Sequence, residues 1–511
     1  MSECIMSLQL GGEEDRRARL ANRAALEAAG YDLFPAEGFH PSHCVKDLPK
    51  LFLVHQDLDL AARPILRIAG RLIARRHVGG VWFADLWQEH AKIQLRVRRD
   101  AVERQTWFLI GHLDIGDFLG AVGRLVTTQR GELTLDVQYL SILGKPVTTP
   151  AIGKIARDGK RHGAQSDRGA LLRERRHIAM MTDSTIFNNL RAHAKILQVF
   201  RRIMEQEGFV ELQTSIVGPF YGGAAATPFT TNSKALGSDL YLRVSPEPDL
   251  KRALSGGLER VYEIGRNFRN EGLDATHQPS FTAFECYAAW LDYRDMMELT
   301  ERIVVAAVQE VRGSTRIRND DMVIDFEPPW PRHRMVDLVA HELQTTSDDL
   351  TLERLEYAWN VRQSLDKKAS AAQAPARPES WGELLVAFFE DFIEDSLVGP
   401  CFVIDHPVET SPLTKRHRYD KRLTERFELY VSGMEIANAY SELNDPIEQR
   451  KRLEEQDLLR DEPYGVDEFF LNAIDDGMPQ AGGLGIGLDR LAMVITGAKR
   501  IVDVIPFPLV K

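Results

Sequence analysis

The stretch FRNEGLDATHQPSFTAFECY, Phe268 to Tyr287, combines Arg269, Glu271, His277, Phe281, Glu285 and Tyr287 with little ordinary core pattern. Its second half, SFTAFECYAAW, fits the two-residue period of a strand, in which successive side chains point to opposite faces. Phe281, Glu285 and Tyr287 then share one face, and Thr282, Phe284 and Cys286 share the other. The second set reads as packing. The first is a flat ring, a carboxylate and a phenol in a row, with little reason to be buried for stability alone. Further on, GIGLDRL places Gly485 and Gly487 ahead of Arg490. Glycines there remove side chains where a strand and a helix must approach another group closely. Glu428 and Glu435, taken alone, read as solvated surface charges.

Several elements must hold these residues in place. A chain of 511 residues suggests about two to four domains, and 44% hydrophobic content supplies large cores. The net charge of −11 excludes a protein that holds nucleic acid simply by being basic overall, though not a local basic patch. No run has the apolar length needed to cross a bilayer, and the amino terminus lacks the basic-then-apolar plan of a secretory signal. Its charged, Ala-rich continuation reads as a surface helix. Cys4, Cys44, Cys286 and Cys401 are scattered without a CxxC pair, so reduced thiols in a cytoplasmic protein are expected.

Residues 62–144 read as short strands with turn punctuation: PILRIAGRLIARR, GVWFADLWQ, KIQLRVRRD, DFLGAVGRLVTT and ELTLDVQYLSIL. This pattern predicts a small β-barrel of OB type, with a β-sandwich as the alternative. The basic, Gly-rich segment GKIARDGKRHGAQSDRGALLRERRHIAMMTD reads as a linker whose Lys and Arg residues could approach a phosphate backbone. A capped helix follows, opened by Asp183 or Ser184 and closed by Gly208. The remainder mixes strands and helices, with a low-complexity surface excursion at Asp366 to Glu379. The expected organisation is a helical extension at 1–60, a barrel at 61–147, a linker at 148–183 and one α+β domain at 184–511. That domain carries a surface insertion near 340–395.

The barrel pattern, GGAAATPF, LERVYEIGRNFRNEG, SPLTKR, GMEIANAYSELND and GGLGIGLDRLAMVIT occur in this order over almost the whole chain. Together they resemble the class II lysyl-tRNA synthetases, in the subgroup that also holds the aspartyl and asparaginyl enzymes. The resemblance implies an N-terminal OB-fold barrel followed by a class II antiparallel-sheet catalytic domain. The implied activity is ATP-dependent activation of L-lysine and its transfer to tRNA(Lys). Arg269 resembles the arginine that bridges the α-phosphate and the substrate carboxylate, a task suited to a planar guanidinium. Glu271 resembles the adenine-contacting glutamate, and His277 stands where the family meets the distal phosphates. Phe281 would stack under adenine, with Arg490, next to Gly487, above it. Glu428 and Glu435 resemble the carboxylates that hold Mg²⁺ on the triphosphate. Asn438, Tyr440 and Glu442 would contact the lysine carboxylate, its stem and its ε-ammonium, the last shared with Tyr287. Glu247 and Glu285 would meet the α-ammonium, and Gly223 would offer a carbonyl. In the barrel, Phe83 resembles the ring that stacks an anticodon base, with Arg76, Gln94 and Glu132 at base-contacting positions. A homodimer without membrane attachment is also implied.

The sequence departs from the family's pattern at Ser215, within the motif 1 region FVELQTSIV, where proline is usual, and at Thr227, which stands for an arginine. It departs again at Pro248 and Asp249 in SPEPDLKR, and at Gln278 and Ser280 in HQPSFT. These changes keep two further readings open. One is a paralogue that activates lysine or an analogue for a non-tRNA acceptor. The other is a non-catalytic tRNA-binding relative.

Overall fold

The computed structural model describes residues 13–149, 175–224, 226–320, 322–365, 378, 380–458 and 465–510, and the backbone of Lys154–Ile155 and Arg161–His162. Most of the basic linker and almost all of the excursion at 366–379 lie outside the described residues. The chain divides into two compact units, Met1–Ser184 and Thr185–Lys511.

In the first unit, α1 (Glu13–Ala28) and α2 (Leu48–His55) precede a closed five-stranded barrel. Its strands are β1 (Leu66–Val78), β2 (Val81–Gln88), β3 (Ala91–Arg98), β4 (Phe118–Thr127) and β5 (Leu133–Gly144). They close in the order β1-β2-β3-β5-β4, with β3 and β5 parallel. Alternation explains the closure. Leu72, Trp82, Leu86, Leu95, Leu119 and Leu135 are fully buried in one core, while their neighbours face outward. Between β3 and β4 the chain adds α3 (Arg104–His112), a short helix that the strand-and-turn pattern did not announce. The barrel expectation holds and the sandwich alternative falls, because a sandwich would leave sheet edges that this barrel closes.

The second unit opens with α4 (Ser184–Gln206), which Gly208 closes in the left-handed conformation, φ +76°. An eight-stranded sheet follows, built from β6 (Val210–Glu211), β7 (Arg260–Phe268), β8 (Ser280–Ala289), β9 (Arg332–Arg334), β10 (Cys401–Ile404), β11 (Arg426–Tyr430), β12 (Glu435–Ser441) and β13 (Ala481–Gly487). Their order is β9-β10-β11-β12-β13-β8-β7-β6, antiparallel throughout its centre and parallel only at its two edge pairs. The helices named below are α5 (Glu247–Ser255), α6 (Tyr293–Arg312), α7 (Trp381–Phe392), α8 (Pro446–Leu458), α9 (Glu468–Asp475) and α10 (Leu488–Thr496).

One face of the central strands is core. Phe284 and Cys286 of β8, Leu484 and Ile486 of β13, Ala437 and Ala439 of β12, and Phe427 and Leu429 of β11 form one buried cluster with α4, α6 and α10. The alternate residues therefore point the other way, out of that core. Each fully buried aromatic of the cluster replaces water contact with ring contact. The Phe284 ring meets Phe200 edge-on at 5.1 Å and Tyr262 at 6.0 Å. Phe284→Ala is expected to cost about 3–5 kcal/mol, as other buried Phe truncations do. Urea unfolding of the purified protein checks it; a loss below about 1 kcal/mol would mean that this face is not the main core contact.

Candidate active site

The face of the sheet opposite the core forms the floor of a cleft of ≈ 1280 Å³. The register explains its composition. Glu285 and Asn438 flank Gly485, Tyr287 and Tyr440 flank Gly483, and Ala283 pairs with Gly487. The bare strand β13 thus runs between two strands that carry functional groups. A methyl group on Gly483 would overlap the Glu442 carboxylate and lie 2.5 Å from the Tyr287 ring. On Gly485 it would make only ordinary contacts, with Glu285 at 3.6 Å and the Asn438 carbonyl at 3.7 Å, and would take volume from the cleft itself.

Gly223, Glu247, Arg269, Glu271, His277, Phe281, Glu285, Tyr287, Glu428, Glu435, Asn438, Tyr440, Gly487 and Arg490 all line this one cleft. Glu442 does not reach its surface. Its side chain is fully buried next to Gly483 and Tyr287, and it is ion-paired with a residue the motifs did not single out, Lys251 of α5. Lys251 also donates to Glu247 Oε1 at 2.5 Å. Pro248 sits in the first turn of α5, where a missing N–H costs nothing, so the proline does not disturb Glu247. Gly223 has φ +85°, and a methyl there would press on Ser245 Oγ at 2.9 Å; both facts demand glycine.

Glu285 is held by neutral donors: Ser245 Oγ at 2.9 and 3.0 Å, the Tyr287 hydroxyl at 3.2 Å and Asn267 Nδ2 at 3.3 Å. Burial pushes its carboxyl up to about 7, with Glu247's charge adding to the effect. Burial likewise raises Tyr287 and Tyr440, so both stay phenols that can donate. Arg426, also unannounced by the motifs, donates to Asn438 Oδ1 at 3.2 Å and pairs with Glu428. Burial works against an ionised Glu428, but the charge of Arg426 and a 2.7 Å bond from Tyr430 outweigh it and hold the carboxyl below its ordinary value. Desolvation and then the Glu428 charge raise Glu435. Among the described residues no three His, Cys, Asp or Glu side chains form a ready-made metal cage. A cation here would take two carboxylates and complete its shell from a substrate or water.

Also in the cleft lining, the Arg269 guanidinium lies 5.2 Å from the centre of the Phe281 ring, and its buried Nε has no partner. Arg490 Nη1 donates to the Glu435 carbonyl at 3.0 Å, and its Nη2 meets His277 Nε2 at 2.7 Å. Since the guanidinium can only donate, Nε2 accepts and Nδ1 carries the proton toward Asp274, 2.8 Å away. Glu271 is exposed on the same loop. Gln278, one of the departures, anchors that loop by exchanging two bonds with the Leu509 backbone at 3.1 and 3.2 Å. Ser215 bonds the Val217 carbonyl at 2.6 Å, and the Thr227 carbonyl accepts from the Asn270 amide at 2.8 Å.

In the barrel, Arg76 lies opposite Phe83 across the β1–β2 pair, its guanidinium 5.2 Å from the ring centre. Gln94 is buried and donates to Glu132 at 2.9 Å. The neighbouring Arg96 pairs with Asp136 at 2.8 Å.

A cleft floored by a glycine strand between functional strands, following a five-stranded barrel, has counterparts in known proteins. The family described as tRNA synthetases class II (D, K and N) matches residues 169–511, and the OB-fold nucleic acid binding domain matches residues 66–143. The chain belongs to the class II tRNA synthetases. Curated relatives of this synthetase include the Lysine--tRNA ligase of Clostridium novyi, 38% identical over 98% of this chain and 94% of the relative. That of Enterococcus faecalis is 39% identical over 95% of both chains, and that of Lactiplantibacillus plantarum 41% identical over 89% and 88%.

The sequence motifs missed Lys251, Ser245, Arg426 and Asn267 of this synthetase. A signal existed for two. Glu247 and Lys251 have the i,i+4 spacing of one helix face, once SPEP is read as a helix start, and Arg426 alternates with Glu428 on a strand.

Glu285 makes a pH prediction. Its folded-state value near 7 lies above the ordinary 4.5, so the folded protein keeps a proton that the unfolded chain loses as pH rises between them. The empty protein is therefore destabilised as pH rises through that window, by about 3 kcal/mol when complete at 1.4 kcal/mol per tenfold in proton affinity. Glu285→Gln should melt close to the parent at pH 5 and well above it at pH 8. Equal melting-temperature differences at both pH values would refute the assignment.

Proposed function

We propose that this chain activates L-lysine with ATP to lysyl-adenylate and transfers the lysyl group to the 3′ end of tRNA(Lys). The observation that carries this reading is the acidic end of the cleft, where Glu247 and Glu285 stand with the Tyr287 phenol and Glu442 lies beside them. Acidic and phenolic groups beyond a narrow slot select a long cationic side chain. The names of the near-full-length relatives agree with it.

In the proposed binding mode, Glu247, Glu285 and the Gly223 carbonyl receive the α-ammonium. Tyr440 covers the aliphatic stem, and Tyr287 faces the ε-ammonium with the buried Glu442 carboxylate beside it. Arg269 and Asn438 hold the carboxylate. That carboxylate attacks the α-phosphorus of ATP, forming the acyl–phosphate bond as the bond to pyrophosphate breaks. A ribose hydroxyl at the tRNA end then attacks the lysyl carbonyl, forming the ester and releasing AMP. Arg269 brings the two anions together and stabilises charge on the phosphate oxygens. Phe281 and Arg490 enclose adenine, Glu271 reads its edge, and His277 meets the distal phosphates, with Gly487 leaving room for the nucleotide.

Glu428 and Glu435 fit Mg²⁺, being adjacent hard-oxygen donors, with Glu435 raised by Glu428's charge. When bound, the ion would neutralise charge on the triphosphate. The barrel, through Phe83, Arg76, Gln94 and Glu132, receives the anticodon. The protein works in the cytoplasm as a homodimer. No helix among the described residues is long and apolar enough to cross a membrane. The departures at Pro248 and Gln278 have their own partners or places in the fold, and no observation favours a non-tRNA acceptor or a non-catalytic relative.

The test is lysine-dependent ATP–pyrophosphate exchange, followed by charging of tRNA(Lys). Exchange with lysine and stable charging are expected; exchange that stops before tRNA, or none, would overturn the reading. Arg269→Ala should abolish exchange, and a near-normal rate would remove its role. Phe83→Ala should weaken tRNA binding by about 1–3 kcal/mol while leaving exchange intact. Unchanged charging at limiting tRNA would exclude the anticodon role.

A further inference from the structure

The charges at the acidic end of the cleft do not balance. Glu247, Glu285 and Glu442 bring three carboxylates within one buried region, and Lys251 is the cation that pairs with two of them. The Lys251 side chain is wholly buried, its ammonium also 5.8 Å from the rings of Tyr287 and Phe470. Glu442 Oε1 is buried without a hydrogen-bond partner, against the gap that Gly483 leaves beside Tyr287. With every carboxylate ionised, this set lacks two positive charges.

We propose that Lys251 is a positioning residue that sets the substrate class. By cancelling one of three carboxylate charges it leaves a deficit of two, which matches an amino acid carrying two ammonium groups, and it holds Glu247 and Glu442 where those groups arrive. The inference rests on the lysine reading above. Two features support it beyond the ion pairs. Glu247 and Lys251 stand four residues apart on the one helix α5, so the ammonium is fixed by backbone geometry. A buried carboxylate stripped of its cation takes up a proton, and a protonated acid no longer attracts an ammonium. Burial already pushes Glu442 up, with Lys251 opposing the rise. The titratable groups that interact with Glu442 are Lys251 and Glu247 from α5, Glu285, Cys286 and Tyr287 from β8, and Tyr440 from β12, and burial holds the Cys286 thiol protonated. Neither tyrosine ionises near neutral pH.

The test is lysine-dependent ATP–pyrophosphate exchange by the full chain across about pH 6.5 to 9, around the ordinary His-to-thiol range, for the parent, Lys251→Met and Lys251→Met/Glu442→Gln. At pH 7, K251M should raise the KM for lysine at least about tenfold while the KM for ATP stays within about threefold, the split expected when an ion-pair partner is lost. The lysine deficit should narrow as pH rises, because Glu442 without its cation keeps its proton to higher pH and only the carboxylate attracts ammonium. The double variant should stay weak for lysine at every pH, since the amide that replaces the Glu442 carboxylate cannot ionise. If K251M does not yield folded protein by its melting curve, Lys251→Gln, which keeps a donor without the charge, gives the same reading. An unchanged KM for lysine, or a deficit constant across pH, overturns the proposal and leaves Lys251 a packing residue. A parent protein with no lysine-dependent exchange instead overturns the functional reading, before any variant is compared.

Discussion

A carboxylate withdrawn from water without a compensating charge costs several kcal/mol, and four of them, Glu247, Glu285, Glu428 and Glu442, are buried around this cleft. The arrangement follows from how each is compensated. Glu428 has Arg426 two residues away on its own strand. Glu247 and Glu442 share Lys251. Glu285 has only neutral hydroxyl and amide donors, and its raised proton affinity records the shortfall. The cleft lining thus carries both signs, guanidinium groups at Arg269 and Arg490 and carboxylates at Glu247 and Glu285. A ligand with both anionic and cationic groups completes both.

Such a lining requires a rigid support, and the central antiparallel strands provide it because a strand separates its two duties residue by residue. In β8, Phe284 and Cys286 anchor the core while Glu285 and Tyr287 face the chemistry. A slip of one residue would exchange those faces, placing a phenylalanine in the cleft and a carboxylate in the core. The cluster around Phe284 therefore fixes the site as much as it stabilises the fold. Asp489 joins the two layers: it accepts from the Thr282 amide on β8 at 2.8 Å and from His193 of α4 at 2.9 Å.

Features encoded by local pattern were legible in the sequence. The alternation in SFTAFECYAAW gave the strand and its faces, the Gly208 stop ended α4, and five alternating runs gave the barrel strands. The short helix α3 was not legible, because its nine residues have no side-chain N-cap and too little length for a clear period. The motifs located the cleft lining but not its supports. Ser245 and Asn267 act through Glu285, distant in sequence, and although Lys251 has the helical spacing to Glu247, no local spacing records that it meets Glu442. Gln278 was legible only as a substitution; its bonds to Leu509 depend on how the far end of the chain returns. Glu442 is the instructive case: the extended NAYSE pattern reads it on one face with Asn438 and Tyr440, yet those two line the cleft while Glu442 is fully buried and ion-paired with Lys251.

The glycine strand β13 also limits how this pocket can change over evolutionary time. At Gly483 any side chain collides with Glu442 and Tyr287 at once, and at Gly485 it consumes the space the ligand needs. The middle of the floor is thus closed to single-step variation. New selectivity must come from the walls, from α5 and β8 on one side and β11 and β12 on the other, where each change alters a charge that has a partner elsewhere. Variation is then paired: exchanging one member of Lys251–Glu442 or Arg426–Glu428 strands the other. A lineage drifting toward a different amino acid must cross a valley of singly substituted intermediates, while the barrel, divided from this unit, is free to diverge on its own schedule.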